Sequence, residues 1–510
     1  MAKALALVGK VYTSFAPSRK VEGIVALGER IVYAGDRDKA LSMASRLSAE
    51  VVELGDAVAM PGFVDAHVHL ESMGLSLNVA DLRGTRSIAE LKERMSRAPR
   101  ISGWAIGRGW DQENFAEGRH PTRRDLDEAV PDSPAIAIRV CGHAAVLNSA
   151  ALSMLWHRIS SWAARDEGGQ PTGLVVEEGV SKALELFWEG LGVDGHAKLI
   201  QDAALHAAGL GVTSVGSMAV RLEALVALAG LDLPIRVAAY LDEEAFSTVE
   251  SLGLRGPLEL GSRVRVVGVK AFADGSLGAR TAFLSEPYSD EPATRGLRLK
   301  SSDEVASLVR RAESLGYVVA IHAIGDAALD EVIKGLSAAR GAHRIEHLSV
   351  VRPDQLDALR RLNVFGVVQP HFVLSDWWVV KRVGPKRAGL TYAFRTLSRS
   401  VRLALSTDAP VEPLNPWETV YAAVERGMAE GAELYKYTAD ESLSVEEALA
   451  FYTRGSADAI GDPRAGCLEV GCWADAVVVD RDPLEAGPGE LRRTRVLETY
   501  VGGRRVAGGS

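Results

Sequence analysis

Cysteine is scarce in this chain, with three residues, Cys141, Cys467 and Cys472, among 510. So few, so oddly spaced, exclude a disulfide framework and a zinc ribbon, and the expected compartment is reducing and cytoplasmic. The pair in AGCLEVGC reads as small apolar residues in a strand and a turn. Positive charge is also in short supply: 58 Lys and Arg stand against 67 Asp and Glu, a formal net charge of −9. That balance argues against a nucleic-acid or anionic-membrane partner. The opening MAKALALVGKVYT is too short an apolar run for a membrane span or a secretory segment and reads as a first strand. There is no nucleophile-elbow pattern. GLGVDG, Gly190–Gly195, matches a dinucleotide fingerprint by letter, but it follows a helix-like stretch instead of a strand and reads as a plain turn.

What remains is an ordinary globular composition, 47% hydrophobic and 25% charged, in a chain longer than one core usually fills. Residues 1–59 and 456–510 carry short strand-like pieces split by Gly and Asp turns. Each end is thin for a core, so both are expected to build one small β-sandwich-like domain. Between them, residues 60–455 alternate strand-like runs with Ala/Leu/Glu-rich helical segments, the texture of βα repeats. Eight strands can be assigned, at GFVDAH, VTSVGS, IRVAAY, VRVVGVKAF, YVVAIH, HRIEH, VFGVVQ and VRLALSTD. The fold class is therefore α/β, a (β/α)8 TIM barrel, with chemistry expected at the C-terminal strand ends. A connection from 71 to 209 after the first strand is too long to lack structure and is expected to roof the barrel mouth.

The strand ends carry the chemistry-bearing residues. PGFVDAHVHL places His67 and His69 two apart, and alternate residues on a strand face the same way. His322, His347 and Asp408 close three later strands, and Lys270 sits in an otherwise apolar fourth. A buried, unpaired ammonium is costly, so Lys270 needs a partner; a salt bridge to Asp274 is one option. Glu346, the strand neighbour of His347, is expected to face away. Neutral imidazoles and carboxylates suit zinc or another first-row divalent ion, with one or two per subunit expected.

In combination, VDAHVHL, KAFADGSLGARTA, IHAIGDAALD, RIEH and STDAPV make the chain resemble the amidohydrolase superfamily, in the metal-dependent branch that includes N-substituted formamide deformylases. The resemblance implies a metal centre of His67, His69, Lys270, His322, His347 and Asp408, with Lys270 carboxylated as a bridge between two ions in many relatives. It implies Asp408 as the acid–base residue and His143, in CGHAAVLNSAAL, as an active-site group able to steady an oxyanion. Trp110, Asp111, Asp274, Arg280 and His371 are candidates for substrate contact; Trp104, Trp377 and Trp378 are candidate aromatic walls. The expected reaction is hydrolysis of a non-peptide carbon–nitrogen bond in a small-molecule N-acyl or N-formyl amine or amino-acid derivative. A deaminase or cyclic-amide hydrolase is the enzyme alternative, and a ligand-binding barrel without turnover the non-enzyme one. No nucleic acid or membrane is expected as partner, and self-association is an expectation for a barrel of this size.

Overall fold

The computed structural model describes residues 4–141 and 143–508. The chain folds into two compact units, one of residues 1–70 with 204–510 and one of residues 71–203.

The first unit contains eight parallel strands in chain order: β1 (Phe63–Val68), β2 (Val212–Val220), β3 (Arg236–Leu241), β4 (Val264–Phe272), β5 (Val318–Ala323), β6 (His343–His347), β7 (Val364–Val368) and β8 (Arg402–Leu405). Each pairs with its neighbour in sequence. β1 meets the segment after β8 through a parallel bridge between Val68 and Ala409. Two backbone bonds reinforce that seam, Asp408 N–H to the His67 carbonyl and His69 N–H to the Ala409 carbonyl, both 2.8 Å. This is the TIM-barrel arrangement expected, and all eight strands lie where the sequence placed them. Their near-continuous apolar runs fit strands buried on both faces. Val64, Ala66, Tyr240, Ala320, Phe365 and Val367 belong to one buried cluster of these strands.

Helix Ser302–Leu315 illustrates how the connecting elements are specified. Ser301 and Glu304 form a reciprocal capping box, Gly316 closes the helix in the left-handed region, and Val305, Leu308, Val309 and Ala312 recur at helical spacing on the buried face. Gly325, just after β5, is required for a different reason: a Cβ there would overlap the Phe283 carbonyl, where the loop after β4 packs on the loop after β5.

The chain ends share one seven-stranded sheet, with Ala476–Val479 pairing antiparallel to Glu50–Pro61. Leu5, Ile24, Leu54, Leu468, Val478 and Tyr500 draw strands from both ends into one core. Cys467 and Cys472 correct the sequence reading. They form a disulfide, because the turn between them brings their Cα atoms to 6.0 Å.

The insertion separates as its own unit, with a sheet of its own. Its sheet runs Ala163–Arg165, Pro171–Val176, Ala144–Leu147, Ala135–Arg139, Trp104–Trp110, Ala80–Asp81. Ile136 and Ile138 join a core with helices Ser149–Ile159 and Glu178–Gly190. The alternating Ala135 and Ala137 join the opposite core with helices Ile88–Ser96 and Arg123–Ala129. Among the described residues no helix is long and apolar enough to cross a membrane.

Candidate metal centre

The C-terminal ends of β1, β4, β5 and β6 and the turn after β8 bring His67, His69, Lys270, His322, His347 and Asp408 around one cavity. Ring centroids are 5.4 Å apart for His67 and His69, 5.2 Å for His67 and His347, and 4.4 Å for His322 and His347. One ligand atom from each of His67, His69 and Asp408 falls within 4.8 Å of the others. Asp408 Oδ1 stands 3.2 Å from His67 Nε2 and 3.3 Å from His69 Nε2. These are ion-pair distances without hydrogen-bond alignment, so Oδ1 is a buried oxygen with no donor among the described residues. Three donor atoms gathered this closely fit a cation of first-row size.

The other ring nitrogens are held from behind. His67 Nδ1 is 2.6 Å from Glu346 Oε2, His347 Nδ1 is 2.7 Å from Gln369 Oε1, and His322 Nε2 is 2.9 Å from the Gly275 carbonyl. Such partners fix tautomer and ring direction, leaving the opposite nitrogen turned toward the cavity and available to a metal. Glu346 therefore corrects the expectation that it faces away. His347 has φ 76° and Leu348 φ 50°, so the chain leaves the strand conformation at His347 and the alternation of sides ends there. Asp408 also lies in the left-handed region, at φ 61°. Non-glycine residues held there are strained, and such strain collects at functional sites.

The electrostatics follow from burial. Glu346 is fully buried; desolvation would raise its carboxyl, but Arg344, 2.9 Å away, and His67 outweigh it and hold it far below the carboxylate range. Burial first, then neighbouring cations, lowers His347 to about 3 and His322 well below the usual histidine range. Burial also lowers Lys270 to about 8, against the pull of Glu346 and Asp408. Its Nζ lies 3.5 Å from His67 Nε2 and 4.9 Å from the Phe272 ring centroid.

Asp65 is a supporting residue that sequence reasoning missed. Its carboxylate accepts from Thr407 N–H (3.1 Å), Thr407 Oγ1 (2.7 Å) and Tyr452 Oη (2.9 Å), which ties β1 to the residue before Asp408. A lone acid inside the apolar VDAHVH run was the signal for it.

Several candidate substrate contacts are engaged elsewhere. Asp274 accepts from Phe283, Ile324 and Gly325 N–H at 2.8–3.0 Å, binding the loops after β4 and β5 together instead of pairing with Lys270. Burial raises it to about 7. Arg280 pairs with Asp290 at 2.9 Å, and Asp290 also takes Arg382, which joins the same loop to the segment after β7. His371 pairs with Glu412. None of Asp274, Arg280 and His371 is among the residues lining the cavity. In the insertion, Trp110 is fully buried and donates to the Ala137 carbonyl at 2.9 Å, and Trp104 is core. Asp111 pairs with Arg139 at 2.7 Å, and the exposed His143 has Nδ1 3.2 Å from Glu177 Oε2. Trp377 is exposed, whereas Trp378 lines the cavity.

Residues 50–507 match the model of the amidohydrolase family. The chain belongs to the amidohydrolase family. It is 31% identical to YtcJ of Bacillus subtilis (strain 168) over 98% of both chains. It is 27% identical to an N-substituted formamide deformylase of Arthrobacter pascens, over 94% of both chains. Among solved structures, an uncharacterized metal-dependent hydrolase of Pyrococcus horikoshii OT3 superposes with TM-score 0.88 at 41% identity, covering 96% of this chain and 99% of that one. Family membership and the donor cluster together make this protein a hydrolytic enzyme that depends on a divalent metal.

Proposed function

We propose that the enzyme hydrolyses a non-peptide amide bond, releasing an apolar amine from its N-formyl or N-acyl derivative. The observation that carries this reading is the character of the cavity beside the donor cluster. It holds about 390 Å³, with a wall formed by Phe272, Leu277, Phe372, Trp378 and Val411. Among the described residues no arginine lines it, and its only ammonium is Lys270. A substrate carboxylate would meet no bidentate fork there and would face Asp376, so N-acyl amines are favoured over N-acyl amino acids. The relation to a formamide deformylase agrees with this choice.

His67, His69, His322, His347 and Asp408 are the proposed ligands, with zinc the expected ion in one or two copies. A bound divalent ion lowers the pKa of water and polarises a carbonyl. Asp408 takes the proton from the attacking water and returns it to the leaving nitrogen, which departs as the neutral amine. The apolar wall holds the N-substituent and excludes competing water. Lys270, buried and, among the described residues, without a carboxylate in salt-bridge contact, gains an anionic form by attack of its neutral amine on carbon dioxide with loss of one proton. The resulting carbamate would join the ligand set.

The deciding experiment supplies metal-replete enzyme with an N-formyl arylalkylamine, an N-acyl amino acid, a cyclic amide and an aminopyrimidine. Equimolar amine and formate from the first, with little turnover of the others, is the expected result. Ammonia from the aminopyrimidine, or ring opening without a second fragment, would replace the proposal with the deaminase or cyclic-amide reading.

A further inference from the structure

A second cavity, of about 420 Å³, opens where the N-terminal ends of β3 and β4 meet the Gly461–Arg464 turn and Trp473. The metal centre lies at the opposite, C-terminal ends of the strands. Four arginines line this cavity, Arg236, Arg263, Arg265 and Arg464, against two carboxylates, Glu259 and Asp462.

The arginines are unequally matched. Arg236 is the best matched, with Asp475 at 2.8 and 3.2 Å and Glu29 at 3.2 Å. Arg265 gives one bond to the Gly461 carbonyl at 3.2 Å and stands 3.7 Å from Asp462, whose carboxylate already accepts the Trp473 indole N–H. Arg263 gives one bond to the Leu233 carbonyl at 2.6 Å and, among the described residues, is in no salt bridge. Among the described residues, the Arg464 guanidinium reaches only the Trp473 ring, 5.5 Å from its centroid. Each guanidinium has five N–H donors in a planar fork, so most of the donors of Arg263, Arg265 and Arg464 are unused by the chain.

The arginines also repel one another: burial, then Arg464 and Arg236, lowers the Arg30 pKa against the pull of Asp462 and Glu29, and burial, then Arg236, lowers that of Arg263 against Glu29, Asp475 and Asp232. An anion among these groups would remove that repulsion and occupy their forks bidentately. The aromatic ring of the site is already engaged, since Arg30 and Arg236 lie 3.7 and 3.9 Å from the Trp473 centroid. Recognition therefore rests on charge and fork geometry, without a free face for a nucleobase.

We propose that this cavity binds a small multivalent oxyanion, inorganic phosphate or a phosphate monoester, through Arg263, Arg265 and Arg464. Bound there, it would join the base of the barrel to the Gly461–Trp473 segment of the same unit.

The test is calorimetric titration of the metal-loaded enzyme with inorganic phosphate and with ribose 5-phosphate, at ionic strength held constant with chloride. One saturable site is expected, weakened at least tenfold in Arg263→Ala/Arg464→Ala. The single variant Arg464→Glu, at an exposed position, provides the same reading should the double variant fold poorly. Hydrolase activity without added anion should be unchanged in both. Equal affinity for the two probes supports the phosphate group as the determinant, and tighter binding of the ester supports an ester as the occupant. Affinity that survives both variants would assign the anion to the metal centre and overturn the proposal. Heat that chloride reproduces would overturn it as well.

Discussion

Glu346→Gln separates what the buried Glu346 carboxylate does for the metal from what it does for the fold. Its Oε2 stands 2.6 Å from His67 Nδ1, and its two oxygens accept from Arg344 at 2.9 and 3.0 Å, with all three side chains fully buried. Gln keeps the shape and one acceptor but removes the charge. Losing a partner behind a metal-ligating histidine costs roughly 10–100-fold in metal affinity, about 1.4–2.7 kcal/mol. The same change leaves Arg344 as an uncompensated buried charge, and its Nη1 is already without a partner among the described residues. Breaking a buried pair on one side costs about 3–5 kcal/mol of stability, a large share of the roughly 5–15 kcal/mol that holds a typical domain folded. The double variant Arg344→Met/Glu346→Gln removes both charges and should recover part of that stability, since no uncompensated buried charge remains. Recovery should be incomplete, because Arg344 also donates to the Ala66 carbonyl at 2.7 Å and lies 4.5 Å from the Tyr240 ring centroid. Metal affinity should stay low in both variants. Chelator competition measures the affinity, and denaturant melts of metal-free protein measure the stability. Affinity unchanged in Glu346→Gln, or restored with stability in the double variant, would show that the Glu346 charge does not act through His67.

Three further outcomes are expected. Trp378→Ala should raise KM for an apolar amide about tenfold while leaving kcat nearly unchanged, since it removes binding surface common to ground and transition states; steady-state kinetics on the N-formyl amine decides this. Asp376, whose carboxyl burial raises to about 6 despite the Tyr392 hydroxyl at 2.5 Å, takes up a proton in the folded state before it does so in the unfolded one. Its neutral form therefore stabilises the fold fully below about pH 4, and that stabilisation is lost as pH rises through 6. Asp376→Asn should accordingly melt above wild type at pH 8 and converge with it near pH 4 in a series of thermal melts. The five-residue separation of the Cys467–Cys472 disulfide predicts a loss of about 2 kcal/mol in the double Ser variant. Thiol titration of the denatured protein should find one group, Cys141, before reduction and three after; three before reduction would contradict the bridge.

The barrel was legible because each of its strands is a short apolar run, and because histidine or aspartate at the end of such a run has few structural uses. What stayed hidden depends on backbone conformations that period-two reasoning cannot supply. At HRIEH, strict alternation sends Glu346 away from His347, whereas the positive φ of His347 lets both meet the same centre. The substrate contacts were harder to read for another reason. Asp274 and Arg280 are polar residues in a glycine-punctuated loop, a pattern that serves loop architecture and ligand binding equally well. Their partners, the backbone N–H groups of Ile324 and Gly325 and the carboxylate of Asp290, come from other loops or from farther along the same one. Number and spacing argue against the Cys467–Cys472 bridge, while the local turn geometry decides it.

The most direct test of the account is anomalous scattering across the zinc, iron and manganese edges on crystals grown without added metal. At least one divalent ion is expected among His67, His69, His322, His347 and Asp408, lost on His67→Ala/His69→Ala together with hydrolysis. No anomalous density at these residues after metal repletion, with hydrolysis intact, would contradict it.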